Sequence, residues 1–226
     1  MRLQLTIPTV VKQLSLKDLL GKIQDELRKR ETVHEEVQRD MRRATRLSKQ
    51  AILFTHQERF KDAKKLLKEA DGLFAKLHSF AKTYPDMFYS GLADAAFQEY
   101  AEAQTLFSLV ERNRFVSPEE INVNSVAFVL GLADVIGELR RRALDSLRKE
   151  DVKTAEACLH LMEEIYVELM SMDEAYMLVP GLRRKSDVGR HVIESTRGDI
   201  TIEARRSSLE QCMKSLEKIV KRKTKS

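Results

Sequence analysis

Two acidic residues interrupt the apolar side of a helix predicted over residues 88–110. Glu99 lies between Ala96 and Ala103 in a series of apolar residues spaced by three and four, which is typical of one helix face. Glu102 follows three residues later on the same edge. Two carboxylates that are close together and shielded from water repel each other, and a pKa rises unless a cation intervenes. The pair therefore indicates a proton-sharing or cation-binding site.

A second pair of acids lies in the most apolar stretch of the chain, residues 126–139. Asp134 and Glu138 carry its only polar side chains, and their spacing of four places both on one face of a helix. Gly131 and Gly137 beside them allow another backbone or a ligand to approach closely. Because burying an isolated carboxylate is costly, these acids are expected to be protonated, ion-paired or bound to a metal.

Three explanations of the four acids remain open at this point. Arg141 and Arg142 follow Glu138 by three and four residues, so structural ion pairs are one explanation. A shared proton is the second, and a carboxylate metal site is the third. All-oxygen ligands favour a hard cation such as Mg²⁺ or Mn²⁺ over zinc. The five histidines show no metal-ligand spacing, and Cys158 is predicted to be a core thiol.

Basic residues recur at helical spacing in two segments of the first third of the chain. Such stripes contact phosphates without reading sequence, so they are candidates for nucleic-acid binding. The alternative is a solvated helix face whose charges pair with Glu35, Glu36 and Asp40. The candidate residues are Arg39, Arg42, Arg43 and Arg46 in the first segment and Lys61, Lys64, Lys65 and Lys68 in the second.

Long helices with short connections must position these residues. Glycine and proline total 12 of 226 residues, too few for the turns of a β-sandwich or barrel. The apolar periodicity predicts an all-α bundle of about seven mostly long helices. The first begins at Ser15 and breaks near residues 55–60, and the second ends at residues 83–86. The others span about 88–110, 123–148, 152–172 and 182–221, with a short element at 117–120 and a weak point at Gly198.

Charge is segregated along the chain. The net charge of +5 divides into +7 for residues 1–90, −9 for residues 91–180 and +7 for residues 181–226. This pattern favours basic ends that meet polyanions and a middle that holds a cation, although solvated faces that cancel in space would give the same totals. Two cysteines exclude a disulfide framework, and neither an export signal nor a membrane-spanning run is evident. A soluble, cytoplasmic protein without a membrane partner is expected.

The two acidic motifs together resemble those of the translin family. The stretch FQEYAEA at residues 97–103 is followed by GLADVIGEL at residues 131–139, and the likeness extends over residues 19–221. It is closest to the catalytic branch, the translin-associated factor X (TRAX) proteins, because translin itself lacks this set of acids. It leaves residues 1–18 as an N-terminal extension and residues 222–226 as a basic tail.

The resemblance implies a translin-like α-α superhelix of seven helices that assembles into a homo-octameric shell around RNA, with single-stranded DNA as a further ligand. It also implies a Mg²⁺-dependent endoribonuclease, which would also accept Mn²⁺ and need no second type of subunit. Its metal-binding and catalytic residues would be Glu99, Glu102, Asp134 and Glu138. One alternative is a non-catalytic RNA- or DNA-binding shell protein whose acids form structural ion pairs. Another is a helical scaffold that binds no nucleic acid.

Overall fold

Seven helices make up the regular structure of the residues described by the computed structural model. It describes residues 15–84, 91–172 and 175–223, and no strand occurs among them. The helices are α1 (Leu16–His56), α2 (Phe60–Thr83), α3 (Gly91–Arg112), α4 (Ser125–Leu147), α5 (Val152–Ser171), α6 (Ala175–Leu178) and α7 (Leu182–Lys223). The predicted all-α fold is therefore confirmed.

Local sequence signals explain where α1 and α4 begin. Ser15 accepts a hydrogen bond from the backbone N–H of Asp18 at 3.2 Å, as the sequence predicts. At the start of α4, the side chain of Asn124 accepts from the backbone N–H of Ala127 at 2.8 Å. These caps satisfy N–H groups that have no partner within the first helical turn.

The structure corrects two details of the predicted helices. Residues 117–120 form turns, in which Ser117 Oγ accepts a hydrogen bond from Glu120 N at 3.2 Å, and no helix forms there. The weak point expected at Gly198 is wrong, because α7 continues through it to Lys223. A single helical glycine costs only about 1 kcal/mol relative to alanine, which a long helix tolerates.

Some sequence predictions fall on the ends of the chain and on one internal segment. Residues 1–14 of the predicted extension, residues 224–226 of the basic tail and residues 85–86 of the predicted end of the second helix lie outside the described residues. The second helix ends at Thr83, within the predicted range. Residues 16–18 of the extension belong to α1, and residues 222–223 of the tail belong to α7. Among the described residues, no helix combines the length and apolarity that a membrane span requires.

The helices pack around an apolar core with an aromatic centre. α1 packs against α2 and α3, α3 packs against α4, and both α4 and α5 pack against α7. The ring of Phe74 lies 4.6 Å, centroid to centroid, from the rings of both Phe97 and Tyr100. All three side chains are buried, so they serve the core and are not available to stack on bases.

Gly131 determines how closely α3 and α4 approach each other. A Cβ placed on Gly131 would lie 2.7 Å from the carbonyl oxygen of Gln98 and 2.9 Å from both the Ala101 Cβ and the backbone nitrogen of Glu102. Any side chain at this position would push the two helices apart. The close approach expected from the sequence is therefore confirmed, and it brings the acids of α3 and α4 to one crossing.

We predict that Gly131→Ala destabilises the protein by about 2 kcal/mol, because overpacking against backbone atoms outweighs the better helix propensity of alanine. Gly72→Ala is the matched control, since a Cβ at this α2 glycine would meet no atom within 4 Å. The control should be slightly more stable than the wild type. Urea unfolding measures both variants, and a Gly131→Ala protein as stable as Gly72→Ala would contradict the packing argument.

Candidate functional site

The four acids singled out in the sequence lie near one another where α3 crosses α4. Glu99 and Glu102 project from α3, and Asp134 and Glu138 project from α4. All four residues are partly buried. The negative charges of Glu99, Asp134 and Glu138 all act on the carboxyl group of Glu102 and raise its pKa. The structure therefore brings together the two pairs of acids, which are separated by more than thirty residues in the sequence.

A lysine from α1 neutralises the first acid of α3. The Nζ atom of Lys49 lies 3.6 Å from Glu99 Oε2. Burial raises the pKa of Glu99, and the charge of Lys49 and its hydrogen bond to Glu99 offset part of this rise. The Lys49 side chain is 64% exposed, so it reaches the acid from the solvent side.

A lysine from α7 and a glutamine from α3 hold the first acid of α4. Lys185 Nζ donates to Asp134 Oδ1, and Gln98 Nε2 donates to Asp134 Oδ2 at 2.6 Å. Both oxygens of this carboxylate therefore have a donor, and the side chains of Asp134 and Lys185 are each 28% exposed. The contact also fixes the start of α7 against α4.

A histidine at the end of α1 holds the second acid of α4. The Nε2 atom of His56 lies 2.5 Å from Glu138 Oε2, and Arg141 lies farther away at 3.9 Å. The His56 side chain is only 4% exposed. Its hydrogen bond lowers the pKa of Glu138 more than burial raises it, so Glu138 is ionised at neutral pH.

Glu102 is the acid without a close cation. Among the described residues, it forms neither a hydrogen bond nor an ion pair, and the charge of Lys185 is what favours its ionised form. Burial raises the pKa of Glu102 to about 9, and the charges of Asp134, Glu99 and Glu138 add to the effect. In the absence of a further cation, this carboxyl group is therefore protonated at neutral pH.

The arrangement offers oxygen donors for a hard cation but does not form a finished metal site. Within the described part of the chain, no three His, Cys, Asp or Glu side chains lie close enough together to hold one ion. The physical reason is visible at three of the acids, since Glu99, Asp134 and Glu138 each face a basic side chain. Magnesium binding by all four acids stays a prediction.

One of the two arginines expected to pair with Glu138 does so, since Arg141 lies 3.9 Å from Glu138 Oε2. The other expectation is wrong, because Arg142 lies 3.6 Å from Glu58. The acids also meet Lys49, His56 and Lys185, which sequence reasoning did not assign to the site. Spacing along a single helix finds neighbours three and four residues away, whereas these three partners come from other helices.

The sequence of α1 contains a pattern that could have identified two of these partners, Lys49 and His56. Arg42, Arg46, Lys49, Leu53 and His56 follow spacings of four, three, four and three, so they share one face of the helix. Arg42, Arg46 and the two basic partners of the acids therefore share one helix face, on which His56 is buried. Seven residues, about 10 Å of helix, separate Arg42 from Lys49.

The predicted arginine stripe lines an open groove of about 780 Å³ on α1. Arg43 pairs with Glu69 of α2 at 2.5 Å, whereas Arg46 has no ion-pair partner in the described part of the chain. Glu36 and Asp40 pair with Arg39 as expected, at 4.0 and 3.9 Å, and they contact Lys76 more closely, at 2.5 and 2.7 Å. The groove residues of the stripe are Arg39, Arg42, Arg43 and Arg46.

The predicted lysine stripe lies on α2, outside that groove. Its four residues are exposed, and none of them lines the arginine groove. RNA contact through them stays a prediction. The residues are Lys61, Lys64, Lys65 and Lys68.

Comparisons with known proteins agree with this architecture. An uncharacterized protein of Methanocaldococcus jannaschii is 35% identical over 185 residues, which cover 81% of this chain and 82% of the relative. The crystal structure of AfC3PO superposes with a TM-score of 0.75 at 33% identity, over 83% of this chain and 97% of that one. Apo-NeC3PO superposes with a TM-score of 0.75 at 25% identity, over 87% of this chain and all of the other.

Two further comparisons concern a solved RNA complex and the family to which the chain belongs. The structure of an AfC3PO–duplex RNA complex matches this chain with a TM-score of 0.74 at 33% identity. It covers 83% of this chain and 97% of the matched one. The model of the translin family matches residues 32–220, which include the acids, their partners and the arginine groove. The chain belongs to the translin family.

Proposed function

We propose that this protein is a metal-dependent endoribonuclease that binds RNA inside a homo-oligomeric helical shell and hydrolyses phosphodiester bonds. One observation carries the proposal. Four carboxylates converge at the α3–α4 crossing, and the same face of α1 carries two arginines of an open groove and the basic partners of two acids. Groups that bind phosphates thus adjoin groups that could bind a divalent cation.

Glu99, Glu102, Asp134 and Glu138 would hold Mg²⁺ or Mn²⁺. Carboxylate oxygens are the ligands these ions prefer, and the buried Glu102 lacks a close cation. When bound, the metal would polarise the phosphate and stabilise the negative charge that develops during hydrolysis. The ion pair between Glu99 and the exposed Lys49 is easily exchanged, because such pairs are weak in water.

The remaining polar groups would position the acids and the substrate. His56 is buried and holds Glu138 in one orientation, so it acts as a positioning residue. Gln98 has the same role towards Asp134. Lys49 and Lys185 lie beside the acids, where their charges can attract the RNA phosphate once the acids bind a cation.

RNA would reach the acids along α1. The arginine groove carries four guanidinium groups, which suits binding to the phosphate backbone. The AfC3PO–duplex RNA complex shows that a relative of the same fold binds RNA. We propose that the present chain also binds RNA. We propose single-stranded DNA as a further ligand, because its phosphates carry the same charge.

Exposed apolar faces near both ends of the described chain support self-association. Leu20, Ile23 and Leu27 of α1 and Leu209 and Leu216 of α7 are 44–61% exposed. Apolar stripes of this kind on long helices mark surfaces that another subunit covers. We propose a homo-octamer, the assembly that the family resemblance implies.

A second candidate function is a shell protein that binds nucleic acid without cleaving it. The contacts at Glu99, Asp134 and Glu138 favour this alternative, because Lys49 and Lys185 neutralise two of the acids and His56 hydrogen-bonds the third without any metal. The two candidates make the same prediction for RNA binding and opposite predictions for cleavage.

The cleavage test uses labelled single-stranded RNA with Mg²⁺ and with EDTA. We expect cleavage only with Mg²⁺, and we expect Glu99→Gln and Asp134→Asn each to reduce the rate at least about 100-fold, because a neutral amide is a poor ligand for a hard cation. Asp94→Asn, at an exposed position on α3, is the control and should retain activity. Full activity of Glu99→Gln or Asp134→Asn would contradict the assigned site.

The pH dependence of stability tests the environment of Glu102. Its raised pKa means that the folded state binds this proton more tightly than the unfolded state, so stability falls as the pH rises from about 4.5 to about 9. In EDTA, Glu102→Gln should therefore be more stable than the wild type near pH 7, by on the order of 2 kcal/mol. The stability difference should grow with pH. Urea unfolding at several pH values measures both proteins. If the difference in their unfolding free energies were constant between pH 5 and 9, Glu102 would not have a raised pKa.

Salt dependence tests the arginine groove. Arg46→Ala should weaken RNA binding and reduce the slope of log K against log salt by roughly 0.7–0.9, the value for one lost phosphate contact. Arg148→Ala, at an exposed site outside the groove, should leave the slope unchanged. Fluorescence anisotropy in EDTA between low and high salt measures both variants. Equal slopes for the two would exclude Arg46 as a phosphate contact.

A further inference from the structure

We propose that a groove between α4 and α7 is a nucleotide subsite, which holds the base and phosphate next to the bond that is cut. The inference rests on the proposed function, since it assigns a second contact of the same RNA. It concerns a surface separate from the arginine groove of α1.

The subsite is a cavity of about 440 Å³ with aliphatic walls and a charged rim. Ile136 lies on the α4 side, and Val188 and Val192 lie on the α7 side. The charged groups of its lining are Asp134, Arg184 and Lys185. A cavity of this size matches a single nucleoside and is at the small end of ligand-binding pockets.

The groove opens directly onto the acids. Asp134 lines the groove and is also one of the four converging carboxylates, and its contact with Lys185 marks the boundary between the two regions. A nucleotide in the groove would therefore place its own or the neighbouring phosphate at Asp134. This is where the proposed hydrolysis would take place.

The chemistry of the lining fits a nucleotide of any sequence. Val188, which is 55% exposed, and the partly buried Val192 can pack against the flat face of a base, and they offer no hydrogen-bonding groups that would select one base. Arg184 is exposed and forms no ion pair within the described part of the chain, so its guanidinium is available to a phosphate. An apolar slot with an unpaired arginine at its edge suits a base that is joined to a phosphate.

Gly137 keeps the groove open. It lines the cavity, and a Cβ placed on it would meet no atom within 4 Å. Because Gly137 has no side chain, this part of the groove has space for a ligand. A large side chain at this position would fill the groove without disturbing the helix.

The test uses RNA that contains 4-thiouridine, with photo-crosslinking in EDTA so that cleavage is not required. We expect crosslinked peptides from α4 and α7 in the wild type. Gly137→Leu should abolish these crosslinks and raise the Kd for RNA roughly tenfold, the effect of one lost base contact. Gly198→Leu is the matched control, because this α7 glycine also has no atom within 4 Å of its Cβ position and lies outside the groove. Circular dichroism checks that both variants are folded.

The outcomes separate the subsite from the proposed function. Crosslinks on α1 or α2 alone would overturn the subsite and leave RNA binding intact, and crosslinks nowhere would overturn both. If Gly137→Leu changes the oligomeric state and no crosslink maps to α4 or α7, the groove is an interface between subunits, and the subsite is wrong. Retention of the α4 and α7 crosslinks in Gly137→Leu would also overturn it.

Discussion

Four acidic side chains lie near one another at the α3–α4 crossing, and the electrostatic repulsion between them must be offset by side chains from the surrounding helices. The crossing is close because Gly131 lies against the backbone of α3, and it removes part of the water around the acids. Carboxylates in such a place need positive charge or protons. α1 supplies Lys49 and His56, and α7 supplies Lys185. Glu102 has no close basic partner among the described residues, and its carboxyl group stays protonated.

This constraint links the fold to the proposed chemistry. Side chains from two other helices contact three of the acids, since Lys49 pairs with Glu99, Lys185 pairs with Asp134, and His56 hydrogen-bonds Glu138. The charge balance is incomplete at Glu102, which pairs with no basic side chain of the described residues, and burial together with the charges of the other acids raises its pKa. A divalent ion would complete this balance and would release the lysines towards a phosphate. The same residues thus explain the metal-free arrangement and a capacity for metal binding.

The sequence is informative where the signal lies within one helix. Apolar periodicity predicts the helices, and the acids are recognisable because they break it at Glu99 and within residues 126–139. Partners from distant helices are not predictable in this way. Lys185 follows Asp134 by 51 residues, and only the packing of α4 against α7 brings the two together. Arg142 follows Glu138 by one helical turn and nevertheless turns to Glu58.

The most direct test of the account is a crystal structure of the protein soaked with Mn²⁺, with anomalous scattering to locate the ion. We expect an anomalous peak among Glu99, Glu102, Asp134 and Glu138, with Lys49 moved away from Glu99 and Lys185 moved away from Asp134. An empty crossing, with both lysine–carboxylate pairs intact at saturating Mn²⁺, would contradict this expectation and would favour the non-catalytic shell protein.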